Sequence, residues 1–277
     1  MAITAGMVKE LREKTGAGMM DCKKVLTEAE GNMDRVIDII REKGLSQAAK
    51  KSDRIAAEGL VGMMISEDGK KAAMTEVNSE TDFVAKNEEF QTFVANVTKV
   101  AMEKEPKDLE ALLASEYSAG VTVEAELTSK IAKIGENMNV RRFSALSIEA
   151  GRISGYVHGA GKIAVLVKLE AASDSEKLDE LGKDIAMQVA AMNPKYISRD
   201  DVDQDYINHE REILIQQALN EGKPQNIVEK MVEGRLQKQL KEVCLLEQTF
   251  VKDSDKAVKD VVADTAKALG VEIKVVS

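Results

Sequence analysis

The 277-residue chain has no tryptophan, two histidines and two cysteines, and aromatic residues make up only 3% of it. With so little aromatic volume, any core has to be built from Ala, Val, Ile, Leu and the 13 methionines, and each of the five phenylalanines becomes worth locating. Cys22 and Cys244 lie far apart with no paired spacing, so neither a disulfide framework nor a zinc site is indicated, and a reducing, cytoplasmic setting is expected. A basic surplus is missing too: 39 Lys+Arg against 48 Asp+Glu give a net charge of −9. Neutralising a phosphate backbone takes a basic face, whereas Lys50-Lys51, Lys70-Lys71 and Arg141-Arg142 are scattered pairs, which argues against direct binding of nucleic acid. No apolar run approaches the roughly 18 residues of a membrane span. The opening MAITAGMVKELREK carries charge and no apolar block, so neither a membrane anchor nor a secretory signal is expected.

Apolar residues make up 44% of the chain, enough to bury cores in the two domains its length accommodates. From Ile3 to Lys14, the residues Ile3, Met7, Val8 and Leu11 recur at helical spacing behind Thr4, a candidate N-cap, and Gly16-Ala17-Gly18 ends the pattern. Met19, Met20, Cys22, Val25, Leu26 and Ala29 form a second helix up to Gly31. Asn32 can cap a third that carries Met33, Val36, Ile37 and Ile40 before Gly44. Three helices make a minimal bundle, and Ser46 to Asp53 reads as a helical or flexible linker.

The character then changes. Gly59 to Ile65 and Lys71 to Val77 flank Ser66-Glu67-Asp68-Gly69, whose Asp-Gly pair signals a β-hairpin. A polar stretch, Asn78 to Asp82, leads into a helical pattern through Phe83, Phe90, Phe93, Val94, Val97 and Ala101. The same order returns: Ile153 to His158 and Lys162 to Leu169 around Gly159-Ala160-Gly161, then polar Ser173 to Glu176, then a helix with Leu178, Leu181, Ile185, Val189 and Met192. This predicts an internal repeat about 95 residues apart within an α+β fold, with residues 106–139 between the copies helical and polar. After Pro194, Asp200 to Val243 holds two long helical patterns broken at Glu221-Gly222-Lys223-Pro224, which should pair antiparallel. Their seam, Val202, Tyr206, Ile213 and Leu219 against Ile227, Met231, Leu236, Leu240 and Val243, is narrow and suits a protruding arm. A last helix (Val258, Val261, Val262, Thr265, Leu269) and the strand-like VEIKVV follow.

Little in the chain points to covalent chemistry. Gly16-Ala17-Gly18 follows a helix, lacks a third glycine and has no Lys-Ser/Thr behind it, so it is not a phosphate loop. Gly161-Lys162 has Tyr156 and Ile163 where a Walker loop needs Gly and Ser/Thr, and a hairpin turn accounts for it. Asp201, Asp203, Asp205 and Glu212 match the first, third, fifth and twelfth places of a calcium loop, but Tyr206 stands where the turn glycine belongs. Carboxylates favouring a helix N-terminus explain them better. No metal or cofactor is therefore expected. The two histidines, His158 at a hairpin end and His209 in the charged arm, have no Ser or Cys coupled to them in sequence, which lowers the odds of an enzyme. His209 reads as solvated, while His158 is open between a structural and a contact role. Most informative is Phe83, a large aromatic directly after the capping pair Thr81-Asp82 at a loop mouth. It either packs inward beside Phe90 and Phe93 or is held out for contact.

Four segments carry a resemblance, in order over nearly the whole chain: Thr-Gly-Ala-Gly-Met-Met-Asp-Cys-Lys-Lys (15–24), Thr-Asp-Phe-Val-Ala-Lys-Asn (81–87), Lys-Ile-Gly-Glu-Asn (133–137) with Arg141-Arg142, and Tyr-Val-His-Gly (156–159). Together they resemble the bacterial elongation factor Ts family. The resemblance implies a ubiquitin-associated-like (UBA-like) three-helix domain at 1–52 and core subdomains at 53–147 and 148–197. It also implies a coiled-coil arm at 198–243 and a C-terminal module at 244–277 that completes the second subdomain. It implies a guanine-nucleotide exchange factor rather than an enzyme. Such a factor binds elongation factor Tu, GDP-bound or nucleotide-free, and releases GDP so that GTP can rebind. By the same resemblance the partner-binding residues are Arg12, Met19 and Met20 in the first domain, Thr81, Asp82, Phe83 and Val84 in a loop entering beside the partner's magnesium and phosphate site, and His158 in the core. It leaves room for a dimer within a larger complex. The family commonly continues with an acidic tail past Val271–Val276 where this sequence ends at Ser277, and Thr249 stands where Pro is frequent. The competing classes are an interaction module, or an enzyme on the same scaffold without exchange activity.

Overall fold

The computed structural model describes residues 3–15 and 18–277; the glycine and alanine at 16 and 17, expected to end the first helix, lie outside them. Contacts group the chain into two compact units: Met1–Met64, Ala73–Ala145 and Ala160–Lys162 in one, Ile65–Ala72, Leu146–Gly159 and Ile163–Ser277 in the other.

The first unit begins with helices α1 (Ala5–Thr15), α2 (Met19–Glu28) and α3 (Met33–Ala49). Both expected caps form: the Met7 N–H donates to Thr4 Oγ1 at 3.3 Å and the Arg35 N–H to Asn32 Oδ1 at 3.1 Å. The helices share a core of Leu11, Cys22, Val25, Leu26, Val36 and Ile39. The expected stop at Gly44 does not occur, and the helix runs five residues further, to Ala49. A glycine inside a helix costs about 1 kcal/mol relative to alanine. Here it lies against a later helix, where an added Cβ would sit 3.9 Å from Ala132 Cβ and Thr128 Cγ2. Both distances are ordinary van der Waals contacts, so the packing against that later helix tolerates glycine here without requiring it, and α3 simply continues through it.

The rest of that unit is built on a three-stranded sheet of β1 (Glu58–Ile65), β2 (Lys71–Ser79) and β5 (Met138–Ser147), in the order β1-β2-β5. Between β2 and β5 run α4 (Asp82–Ala85), α5 (Glu88–Lys104), α6 (Leu109–Ala114), the small hairpin of β3 (Glu116–Ser118) and β4 (Val121–Thr122), and α7 (Val123–Ile134). Two expectations need correction. The single helix from Phe83 onward is broken, because Asn87 Oδ1 accepts the N–H groups of Glu89 and Phe90 (2.8 and 3.3 Å) and so starts α5 afresh. Residues 106–139 are not simply helical, since they contain β3, β4 and the start of β5. Alternation of buried Met138 and Val140 with exposed Asn139 and Arg141 gives β5 its strand period. Phe90, Phe93, Val97, Leu112 and Met138 lie at the centre of this core.

The second unit repeats the plan. Strands β6 (Arg152–His158) and β7 (Ile163–Ala171) pair antiparallel from Arg152 opposite Leu169 to His158 opposite Ile163. α8 (Glu176–Met192) follows, then α9 (Gln204–Asn220) and α10 (Gln225–Val243). The small hairpin of β8 (Thr249–Phe250) and β9 (Asp253–Ala257), α11 (Val258–Leu269) and β10 (Ile273–Val275) complete the unit. β10 pairs with the free side of β7, so the third strand again lies beside the second. Gly59 (φ +127°) and Gly151 (φ +113°) occupy equivalent places: an added Cβ would meet Val77 O at 2.1 Å and Leu169 O at 2.0 Å, and 151 − 59 = 169 − 77 = 92. α5 and α8 have 17 residues each and end on left-handed caps, Glu105 and Asn193, with 193 − 105 = 88. The expected spacing of about 95 is thus 92 in the strands and 88 in the helices. The difference of four falls between β2 and α5, where the four-residue α4 is inserted. Where helix crosses strand, an added Cβ on Gly62 would meet Val94 Cγ1 at 2.8 Å, and one on Gly182 would meet Ser154 Cβ at 2.6 Å. The small residue is on the strand in one copy and on the helix in the other. α7 and α11, 12 residues each, end on left-handed Gly135 and Gly270. Their separation, 270 − 135 = 135, shows that α9 and α10 are additional to the repeat.

α9 and α10 lie antiparallel, with Glu221 bonded to Arg235 and Glu210 to Gln239. Gly222 (φ +72°) and Pro224 make the turn. The apolar seam matches the expected one at Leu236 and Leu240, which are buried, and differs elsewhere: Val228 and Val232 are buried with Ala218, whereas Ile213, Leu219 and Ile227 are exposed. The stripe on α10 starts one residue later than expected, which turns Ile227 to solvent. Asp203 caps α9 through the Tyr206 N–H (2.6 Å), and Asp201 accepts the N–H and O–H of Ser198 (2.8 and 2.7 Å). These carboxylates are committed to chain turns. Among the described residues, no group of His, Cys, Asp and Glu could hold a metal, and no helix is long and apolar enough to cross a membrane.

Candidate functional site

Phe83 is 78% exposed on the one-turn helix α4, while Phe90 and Phe93 are fully buried. That excludes the inward-packing alternative. The turn is held at its C-terminal end by Val84 and Ala85, which are buried, and by the Asn87 cap on α5. Val84 belongs to the core cluster, so its side chain anchors the turn and does not face outward. At the N-terminal end Thr81 is gripped by Glu136: its N–H donates to Oε2 at 3.0 Å and its hydroxyl to Oε1 at 2.6 Å. Glu80 answers from the other direction, its Oε1 accepting the Asn137 N–H at 2.5 Å. Asn137 Nδ2 donates to Arg54 O at 2.7 Å, tying in the chain ahead of β1. Two motifs far apart in sequence, 81–87 and 133–137, are therefore one structural unit.

Around the exposed ring the charges are arranged in pairs. Lys86 Nζ lies 2.7 Å from Asp82 Oδ2 and 5.9 Å from the centre of the Phe83 ring. The hydrogen bond and charge of Lys86 hold the Asp82 carboxyl below its ordinary pKa, so it is ionised throughout the neutral range. One turn away, Glu89 takes Lys130 at 2.8 Å and Lys133 at 2.9 Å. Burial works to raise the pKa of Glu89, but the two lysine hydrogen bonds outweigh it and leave it lowered.

The other residues singled out in the sequence are accessible but lie elsewhere. Arg12 is exposed on α1. Met19 and Met20, in the first turn of α2, are 59% and 76% exposed. Two neighbouring exposed methionines form an apolar spot that the three-helix core does not use. His158, in the second unit, is exposed at the end of β6, with Nδ1 2.9 Å from the Tyr156 hydroxyl. Val157 and Ile163 beside it are also exposed. His209 is exposed on α9. Sequence reasoning passed over Glu80, Glu136 and Asn137 as site residues. The available signal was the polar Glu136-Asn137 pair placed straight after a helix-ending glycine and before an apolar strand.

Comparison with known proteins gives the family of the chain. The family model described as Elongation factor TS matches residues 80–277. The chain is 61% identical over 274 residues to elongation factor Ts of Clostridioides difficile (strain 630), covering 99% of this chain and 90% of the relative. It is 56% identical over 270 residues to elongation factor Ts of Clostridium novyi (strain NT), covering 97% and 88%. To that of Clostridium tetani (strain Massachusetts / E88) it is 54% identical over 275 residues, covering 99% and 90%. With the family model spanning most of its length and relatives aligned almost end to end, the chain belongs to the elongation factor Ts family of translation elongation factors.

Proposed function

We propose that this chain is a nucleotide exchange factor that binds GDP-loaded elongation factor Tu and speeds the release of GDP by inserting Phe83 near the partner's magnesium and phosphate site. The observation that carries the reading is an aromatic ring 78% exposed on a turn anchored at both ends, which the second copy of the repeat does without. No bond is made or broken. By linkage, a factor that weakens nucleotide binding must itself bind the nucleotide-free partner more tightly by the same factor. Some group must therefore fit a shape that exists only when the nucleotide pocket is distorted, and an exposed, pre-positioned ring meets that need without first having to be ordered. Asp82, ionised and paired with Lys86 in the free chain, would bring a negative charge to the same spot once that pair opens and so disturb the surroundings of a bound cation.

Met19, Met20 and Arg12 supply a second contact from the three-helix element, proposed as a UBA-like domain over 1–52. His158 supplies a third from the core. On this reading 53–147 and 148–197 with 244–277 are the two core subdomains, and α9 with α10 forms a coiled-coil arm over 198–243. The test is to mix the chain with elongation factor Tu loaded with a fluorescent GDP analogue and excess unlabelled GDP. Exchange activity appears as release that accelerates with factor concentration and saturates. Release at the spontaneous rate at every concentration, despite binding detected by sedimentation, would leave an interaction module without exchange activity.

A further inference from the structure

A four-residue helix cannot hold its own direction, because a single turn fixes several backbone angles for very few hydrogen bonds. Phe83 therefore points where its anchors point it. Val84, Ala85 and the Asn87 cap fix the end of α4 that leads into α5. At the other end, the hydroxyl of Thr81 accepts only a long 3.5 Å bond from the Val84 N–H, and the Ser79 hydroxyl bond to Thr81 O (3.0 Å) is internal to the segment. Thr81 itself is tied to the bend between α7 and β5 by the carboxylate of Glu136, with both oxygens engaged, next to the tie from Glu80 Oε1 to the Asn137 N–H. Bonds to an ionised acceptor are short and strong, and a two-point grip fixes orientation as well as position.

The repeat supplies an internal comparison. Gly135 and Gly270 end α7 and α11 in the same left-handed conformation, and the residue that follows each leads into the third strand of its sheet. In the second copy that residue is Val271, which packs against the core, and there is no inserted turn. In the first copy it is Glu136, which leaves packing aside and reaches for Thr81. The carboxylate occurs in the copy that has α4 and is replaced by a hydrocarbon in the copy that lacks it.

We propose that Glu136 is a positioning residue for nucleotide exchange, setting through Thr81 the direction in which Phe83 is presented. This rests on the reading of Phe83 as the inserted group, and the experiment separates the two. Release of a fluorescent GDP analogue from elongation factor Tu is measured against factor concentration for Glu136→Ala, Glu136→Gln, Thr81→Val, Phe83→Ala and the double variant Glu136→Ala with Phe83→Ala, alongside thermal melting. Glu136→Ala should lower the saturating release rate by about five- to tenfold, the scale of one ordinary hydrogen bond's worth of positioning lost in the activated complex. The concentration for half-saturation should change little, and the melting temperature should fall by several degrees while the transition stays cooperative. Glu136→Gln, which keeps one acceptor oxygen, should recover part of the rate, and Thr81→Val should fall between them. In the Phe83→Ala background, adding Glu136→Ala should slow release less than twofold. Equal slowing in both backgrounds, or a normal rate for Glu136→Ala beside a slow Phe83→Ala, overturns the positioning role alone. A normal rate for Phe83→Ala overturns the reading of Phe83 as the inserted group and this inference with it. Should Glu136→Ala melt early, Glu136→Gln and Thr81→Val decide: normal saturating rates for both overturn the proposal.

Discussion

Truncating Phe83 to alanine should separate the free factor's stability from its activity. A phenylalanine buries roughly 150–250 Å² when fully enclosed. With 78% of the side chain exposed, only about a fifth of that is covered in the free protein. At about 25 cal/mol per Å², the loss on truncation is about 1 kcal/mol, which shifts the melting temperature of a protein this size by about 2–4 °C. The exposed remainder, roughly 120–195 Å², is available to a partner and amounts to about 3–5 kcal/mol before the cost of opening the partner's site. If a third or more of that is realised only in the activated complex, Phe83→Ala slows GDP release by about tenfold, equivalent to roughly 1.4 kcal/mol of barrier. Stopped-flow release of a fluorescent GDP analogue and thermal melting of the same preparation measure the two quantities. Phe90→Ala is the contrasting control. Its ring is fully buried, so it should lose about 3–5 kcal/mol of stability while release per folded molecule stays near normal. A Phe83→Ala protein that melts as early as Phe90→Ala, or that releases GDP at the unaltered rate, would refute the reasoning.

Three further outcomes follow from the fold. Excising residues 203–242 and closing the gap with a few glycines should leave a cooperatively folding protein. The base of the helix pair is already closed by the Tyr196–Cys244 bridge and the Leu245 N–H to Tyr196 O bond (2.9 Å), and loss of a single melting transition would show that the pair supports the core. Gly59→Ala and Gly151→Ala should each destabilise by about 3 kcal/mol or more, from a forced positive φ and a Cβ overlapping a carbonyl oxygen, read as a fall in the denaturant midpoint. In acid, burial pushes the carboxyls of Glu89 and Asp179 up, but hydrogen bonds from Lys130 and Lys133, and from Lys183 and Ser154, bring them below their ordinary values. Their stabilisation is complete above an unfolded-state pKa of about 4 and fades as pH falls through the lower folded-state values. Melting temperature should therefore drop below about pH 4, and less steeply in Asp179→Asn.

The α+β class and the recurring hairpin-plus-helix order were legible because strand and helix periods are written locally: Asp68-Gly69 turns one hairpin, and Leu178, Leu181 and Ile185 mark one helix face. The break between α4 and α5 was harder to see, since Phe83 and Phe90 are seven residues apart and fit one helical stripe. Asn87, a cap in the middle of that stripe, was the overlooked sign. Gly44 misled because a glycine only weakens a helix by about 1 kcal/mol, and α3, capped by Asn32 and packed against α7, carries that cost and runs on to Ala49. The exposure of Phe83 could not be read from spacing, and its grip by Glu136 joins residues 55 positions apart, which no local pattern reveals.

The exchange of small residues at the strand–helix crossing has a consequence for how the two copies can diverge. In the first, the strand gives way (Gly62) and the helix fills (Val94); in the second, the strand fills (Ser154) and the helix gives way (Gly182). A hybrid carrying the first strand and the second helix would bring two glycines together and leave a void. The reverse hybrid would press Ser154 into the space Val94 needs. A crossover that parts a strand from its helix would therefore cost the hybrid stability, whereas one that moves a strand and its helix together keeps each glycine opposite the residue that fills its space.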